Sequence, residues 1–149
     1  MQTRSITDRI TIADQPTESE IGTLPGEGYV GVVNLRNDGE PEQPLGTSAE
    51  GEIVRKHGMD YLHEGVGGRP LTPETVNRVR AFLDAHDGKV LVHCRKGSRA
   101  AALVLIHEAH SNGWKPEEAL AKGAGMGLQV DGGLRMIVEQ YLAEHPPKA

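Results

Sequence analysis

The sequence predicts an α/β fold of three layers, with helices on both sides of a mainly parallel central sheet, and three observations lead to it. Short apolar runs with β-branched residues, YVGVVNL at 29–35 and VLV at 90–92, suit strands buried on both faces of a parallel sheet. Apolar residues recur at helical spacing in 72–86 and again in 131–144. These two kinds of segment alternate along the chain, which is the order of βαβ units rather than of a helix bundle or a β-meander.

In chain order, residues 5–12 alternate as one short strand, and Asp14-Gln15-Pro16 breaks it before a short helix over 17–24. The strand at 29–35 runs into Asn34-Leu35-Arg36, polar groups that either cap the strand end or prop a neighbouring loop. Residues 37–46 are acidic, contain two prolines and read as a surface loop. A polar helix over 48–57 and a strand over 60–66 follow, and Gly65, Gly67, Gly68, Arg69 and Pro70 predict a mobile loop.

Thr72-Pro73-Glu74 has an N-cap hydroxyl, proline at the first helical position and a carboxylate in the first turn, so a helix starts there. It runs to about His86, with Val76, Val79, Phe82 and Leu83 facing the core, and Asp87-Gly88 stops it. The strand at 90–92 ends at His93 and Cys94. After Arg95-Lys96-Gly97-Ser98-Arg99, residues 100–106 are apolar on nearly every face, which marks a central helix covered all round. Asn112-Gly113 caps it and Pro116-Glu117-Glu118 opens another helix. Gly123, Gly125 and Gly127 interrupt the chain as a connector to a last helix over 131–144, whose Leu134, Ile137, Val138, Tyr141 and Leu142 share one side.

A length of 149 residues suits one domain, 1–149, with a full core. A composition of 37% hydrophobic residues with net charge -5 argues against a nucleic-acid partner. The single cysteine has no internal disulfide partner, and neither a signal segment nor a membrane-length apolar run is visible, so the expectation is a cytoplasmic chain without a membrane partner. No cofactor is expected, because no strand precedes the 123–127 glycines as a nucleotide loop requires. His107-Glu108-Ala109-His110 misses the zinc-protease spacing and reads as a solvated helix end, so no metal is expected either.

The chemistry concentrates at Cys94. The first turn of a helix has N–H groups without intrahelical acceptors and the positive end of the macrodipole, so an anion is held there. The same field, with Arg95, Lys96 and Arg99 around it, favours thiolate over thiol, and the thiolate is the reactive form. Gly97 lets the loop turn tightly against a ligand. The competing reading is an inert cysteine packed in the core.

HCRKGSRA resembles the active-site loop of cysteine-dependent phosphatases, His-Cys-x-x-Gly-x-x-Arg-Ser/Thr, with the arginine one position early. The spacing Cys-x-x-Gly-x-Arg resembles rhodanese sulfurtransferases. It also resembles the phosphatase-like domain family found beside β-lactamase-like hydrolases, whose loop commonly reads Cys-Arg-Ser-Gly-Thr-Arg-Ser. ITDRITIADQPTESEI is similar to the opening of that family, with Asp14 where glycine is usual, and the Asn-Leu-Arg strand end and the Thr-Pro helix start are family-like as well. The resemblance covers most of residues 5–120 and implies a compact cysteine-phosphatase-like fold.

It implies a phosphatase in which Cys94 attacks phosphorus and forms a phosphocysteine. Arg99 and the backbone of Arg95, Lys96, Gly97 and Ser98 bind the oxygens, and His93 orients the loop from behind. Asn34 and Arg36 are supporting residues. Relatives place an aspartate in a mobile loop as general acid, and this chain offers none there; Glu64 is the nearest carboxylate, with Asp60 and His63 behind it. Two alternatives stay open: a sulfurtransferase carrying a persulfide on Cys94, and a module that binds phosphate or sulfate without turnover. The expected partner is accordingly a phosphate- or sulfur-containing small molecule, or a phosphoprotein.

Overall fold

The computed structural model describes residues 1–65 and 72–146. Its sheet has five strands in the order β1-β2-β5-β3-β4, formed by β1 (Thr3–Ser5), β2 (Ile10–Ala13), β3 (Tyr29–Asn34), β4 (Asp60–His63) and β5 (Lys89–His93). All neighbours are parallel except β1, which runs antiparallel to β2. Successive side chains of a strand face opposite ways, so Val90 and Val92 enter one core and Leu91 the other.

Helices α1 (Glu18–Thr23) and α2 (Thr47–Lys56) cover the Leu91 face through Ile21 and Val54. On the opposite face, α3 (Pro73–Asp84) brings Val76, Val79 and Leu83, and α4 (Ser98–Asn112) lies between the sheet and the outer helices α5 (Pro116–Met126) and α6 (Gly132–Glu144). Residues 100–109 of α4 are all buried, as its apolar circumference requires. The fold is therefore the three-layer α/β architecture expected from the sequence.

Caps end the helices where their residues can supply them. Thr17 and Glu20 form a reciprocal capping box on α1, and the Thr72 hydroxyl accepts from Thr75 N–H ahead of Pro73. Among the described residues no helix is long and apolar enough to cross a membrane.

Four expectations change. Residues 5–12 are not one strand but span a hairpin, from the end of β1 through a turn into β2: Thr7 Oγ1 accepts from the N–H groups of Arg9 and Ile10, so a threonine side chain takes the place of a glycine turn. The strand at 60–66 ends at His63, and Gly67, Gly68, Arg69 and Pro70 of the expected mobile loop lie outside the described residues.

Gly123 and Gly125 do not interrupt the chain, since α5 continues through both and stops at Gly127. A Cβ on Gly123 would stand 2.6 Å from Leu105 Cδ1, so that glycine serves close packing of α5 on α4. His107 and Glu108 are buried rather than solvated, and His107 Nε2 pairs with Asp84 of α3 at 3.0 Å.

Candidate active site

The site stands at the carboxyl end of β5, the central strand, where ligands bind in open parallel sheets. Chain direction reverses between β5 and α4 within residues 94–97. Gly97 makes this possible with φ of 93°, a left-handed conformation that disfavours any side chain. Cys94 lies fully buried at the floor of this loop, and Gly97 N–H donates to its Sγ at 3.1 Å. A backbone donor at the start of α4 thus points directly at the sulfur.

Arg99, in the first turn of α4, is held on two sides. Its Nη1 donates to Leu35 O at 3.1 Å, and its guanidinium makes a two-point fork with Glu40, at 2.8 and 3.0 Å. The Arg99 fork, together with Asn37 N–H and Arg36 Nε, holds the Glu40 carboxyl well below its ordinary value of 4.5, at about 2. The same hydrogen bond raises the Arg99 guanidinium above its usual range. Glu42 pairs with Arg95 at 2.8 Å in the same way, which lowers the Glu42 carboxyl.

Both glutamates belong to 37–46, which the sequence presents as a plain surface loop. It is instead folded over the cysteine loop, and Arg36 holds it there. The Arg36 side chain is fully buried; Nη1 donates to Glu42 O at 3.1 Å and Nη2 to Pro41 O. Asn34 Oδ1 accepts Arg36 N–H at 2.9 Å, while its amide donates to the Tyr61 hydroxyl at 3.0 Å. His63 Nε2 meets Arg36 O at 2.6 Å.

Behind Cys94, His93 is fully buried and its Nε2 meets Glu50 Oε2 of α2 at 2.7 Å. Lys96 and Ser98 are exposed on the outer side of the loop. They line a cleft of about 320 Å³ together with Arg4, Asp14, Gly127 and Gln129.

Glu64 takes a different place. Its N–H donates to Asn34 O at the end of β4, and its carboxylate pairs with Arg78 of α3 at 2.7 Å. Among the described residues no contact joins it to the cysteine loop. Nor do the described residues hold a group of histidine, cysteine and carboxylate side chains that could ligate a metal.

Sequence reasoning passed over Glu40, Glu42, Glu50 and Gln15 as parts of the site. One signal was available: Thr47, Glu50, Gly51 and Val54 follow helical spacing and are the buried face of α2, which puts Glu50 on the core side.

Residues 2–111 match the family model for the phosphatase-like domain of beta-lactamase hydrolase-like proteins. The chain belongs to that family. A beta-lactamase hydrolase-like protein from Xylella fastidiosa strain Temecula1 is 31% identical over 143 residues, which is 95% of this chain and 33% of that protein. Its namesake from Agrobacterium fabrum is 34% identical over 110 residues, 73% of this chain and 25% of the relative. This member therefore spans a third or less of the length of these curated relatives.

Among solved structures, Tk-PTP in its active form superposes with a TM-score of 0.79 at 22% identity, covering 96% of this chain and 97% of that one. PTPMT1 gives 0.78 at 18% identity, covering 96% and 95%. A DUF442 protein from Shewanella putrefaciens gives 0.76 at 23%, covering 97% and 93%. The fold is thus that of the protein tyrosine phosphatase-like structures.

Proposed function

We propose that this domain is a cysteine-dependent phosphatase that hydrolyses phosphate monoesters through a phosphocysteine intermediate. One observation carries the reading: the sulfur of Cys94 receives the Gly97 N–H at the floor of the loop, and the Arg99 guanidinium is fixed at the loop's other end by Glu40. The thiolate attacks phosphorus and the P–O ester bond breaks, so the alcohol or phenol leaves with the bonding pair and takes up a proton. Water then attacks the phosphocysteine, the P–S bond breaks, and phosphate and thiolate are released. Arg99 and the N–H groups of Arg95, Lys96 and Ser98 meet the oxygens on which charge shifts during both steps, while the Gly97 N–H stays on the sulfur.

The proton donor for the leaving group is the open part of the site. Glu40 is held as an anion by two arginines and is unsuited to donate. Glu64, the acid suggested by the sequence, has to leave Arg78 before it can do so. Without a donor, poor leaving groups react slowly, because general acid catalysis contributes roughly 10² to 10⁴ in rate. Aryl phosphates are therefore the first substrates to assay.

The cleft beside Lys96 and Ser98 offers both charged and polar walls for the remainder of a substrate. A small phosphorylated molecule or a phosphoprotein side chain satisfies that chemistry, and PTPMT1 is known in complex with PI(5)P.

A sulfurtransferase reading is favoured by the short loop alone, with arginine two residues after Gly97. Parallel assays with an aryl phosphate and with thiosulfate plus cyanide, on wild type and Cys94→Ser, separate the two. The phosphatase reading expects phosphate release that Cys94→Ser abolishes. Thiocyanate formation with no phosphate release would overturn it.

A further inference from the structure

Glu50 is the one carboxylate of the site that is completely buried, and it touches neither the cysteine loop's mouth nor Arg99. Its two oxygens are divided. Oε2 meets His93 Nε2 at 2.7 Å, directly before the nucleophile, and Oε1 accepts from Gln15 Nε2 at 2.9 Å. Gln15 Oε1 in turn accepts from Arg36 Nη1 at 2.9 Å, Arg36 Nε donates to Glu40 Oε1 at 3.3 Å, and Glu40 forks onto Arg99. An unbroken series of hydrogen bonds thus runs from behind Cys94 to Arg99, through four segments of the chain that share no sequence proximity.

Every donor and acceptor from Glu50 Oε1 to Arg99 is determined. Arg36 can only donate, so Gln15 must present its oxygen to Arg36 and its NH₂ to Glu50. Glu50 Oε1 must then accept from Gln15, and a single proton lies between Oε2 and His93 Nε2. Resting on the phosphatase reading, we propose that Glu50 is a positioning residue, which sets the register of the nucleophile against the phosphate-binding arginine through His93 on one side and Gln15, Arg36 and Glu40 on the other.

The donor order makes a specific prediction. In Glu50→Gln, the new amide either keeps its oxygen on His93 and turns its NH₂ against the NH₂ of Gln15, or it flips. If it flips, His93 must carry its proton on Nδ1, which is buried and has no hydrogen-bond partner among the described residues. One buried donor is left without an acceptor in both arrangements. Adding Gln15→Glu restores the series from position 50 to Arg36, because the carboxylate placed at position 15 accepts both from the amide introduced at position 50 and from Arg36, while that amide keeps its oxygen on His93; the bond that Gln15 Nε2 donates to Pro16 O at 3.0 Å is given up, so the recovery is partial.

The test uses alkylation of Cys94 by iodoacetamide and its suppression by inorganic phosphate, in wild type, E50Q and Q15E/E50Q, well below each thermal midpoint. E50Q is expected to lower the alkylation rate or the affinity for phosphate by about tenfold, the effect of one unpaired buried donor. The double variant is expected to return to within about threefold of wild type. Wild-type values in folded E50Q, or a double variant no better than E50Q, would overturn the proposal.

If E50Q does not fold, Gln15→Leu decides, since it cuts the series without disturbing the His93–Glu50 pair; wild-type phosphate protection in that variant would overturn the proposal as well. None of these readouts requires turnover. Absence of phosphate ester hydrolysis by the wild type would therefore count against the phosphatase reading and not against the role of Glu50.

Discussion

Glu40 and Glu64 each pair with an arginine, yet the two pairs are built for different ends. Glu40 meets Arg99 with both oxygens, both side chains are nearly enclosed at 16% and 17% exposure, and Asn37 N–H and Arg36 add further donors. Glu64, itself 12% exposed, offers a single oxygen to Nε and Nη2 of Arg78, whose side chain is 55% exposed. A fork that uses both carboxylate oxygens between two enclosed side chains holds geometry and charge together, whereas a pair whose arginine lies in water is screened and held less firmly. Glu40 is thus a fixed anion against Arg99, whereas Glu64 is tied only to an arginine that lies in water.

Substitutions at the ends of the enclosed pair should have the largest effects after loss of Cys94 itself. Cys94→Ser should show no turnover. Arg99→Lys replaces a fork by a single ammonium, so kcat/KM for an aryl phosphate should fall by roughly 10²-fold or more, the usual effect of losing a donor to developing charge. Arg95→Lys keeps a cation beside an exposed Glu42 and should matter far less. Equal losses at the two arginines would erase the distinction between them.

Glu40→Gln retains the shape but not the charge, and should lower kcat/KM by about tenfold, as expected for a charge-assisted hydrogen bond. The same substitution should change acid stability. Because the folded value of Glu40 lies below its ordinary one, its ionised form stabilises the fold above pH 4.5, and that contribution is lost as pH falls toward about 2. Urea unfolding of wild type should weaken over that window, and the difference between wild type and Glu40→Gln should shrink there.

The smallest effect belongs to the Glu64–Arg78 pair, which does not touch the cysteine loop: Glu64→Gln should alter aryl phosphate turnover by no more than about twofold. Loss of the alkaline limb of the pH profile in that variant, with the greatest slowing for poor leaving groups, would instead make Glu64 the acid.

The basic half of the site can be read from the chain because it is local. An apolar strand, a cysteine, a left-handed glycine and a buried helix lie within 89–112, and each follows from residue type and spacing. The acidic half depends on tertiary structure. Glu40 reaches Arg99 across 59 residues and Glu50 reaches His93 across 43, and neither contact has a local pattern.

The hairpin at 3–13 has no strong sequence signal because Thr7 turns the chain without glycine or proline. The full length of α5 is hidden because Gly123 serves packing, so its helix-breaking tendency is overruled by contact with Leu105. By contrast, the Asn-Leu-Arg strand end stands out by its polar residues, and Arg36 there is the buried centre of the acidic loop.

Whether Cys94 carries a phosphoryl group during turnover is tested most directly by trapping. Wild-type protein mixed with an aryl phosphate and quenched in acid should show, by intact mass and peptide mapping, one phosphoryl group on Cys94 that is absent from Cys94→Ser. A gain of one sulfur on Cys94 after incubation with thiosulfate, with no phosphoryl adduct and no turnover of any phosphate ester, would contradict it.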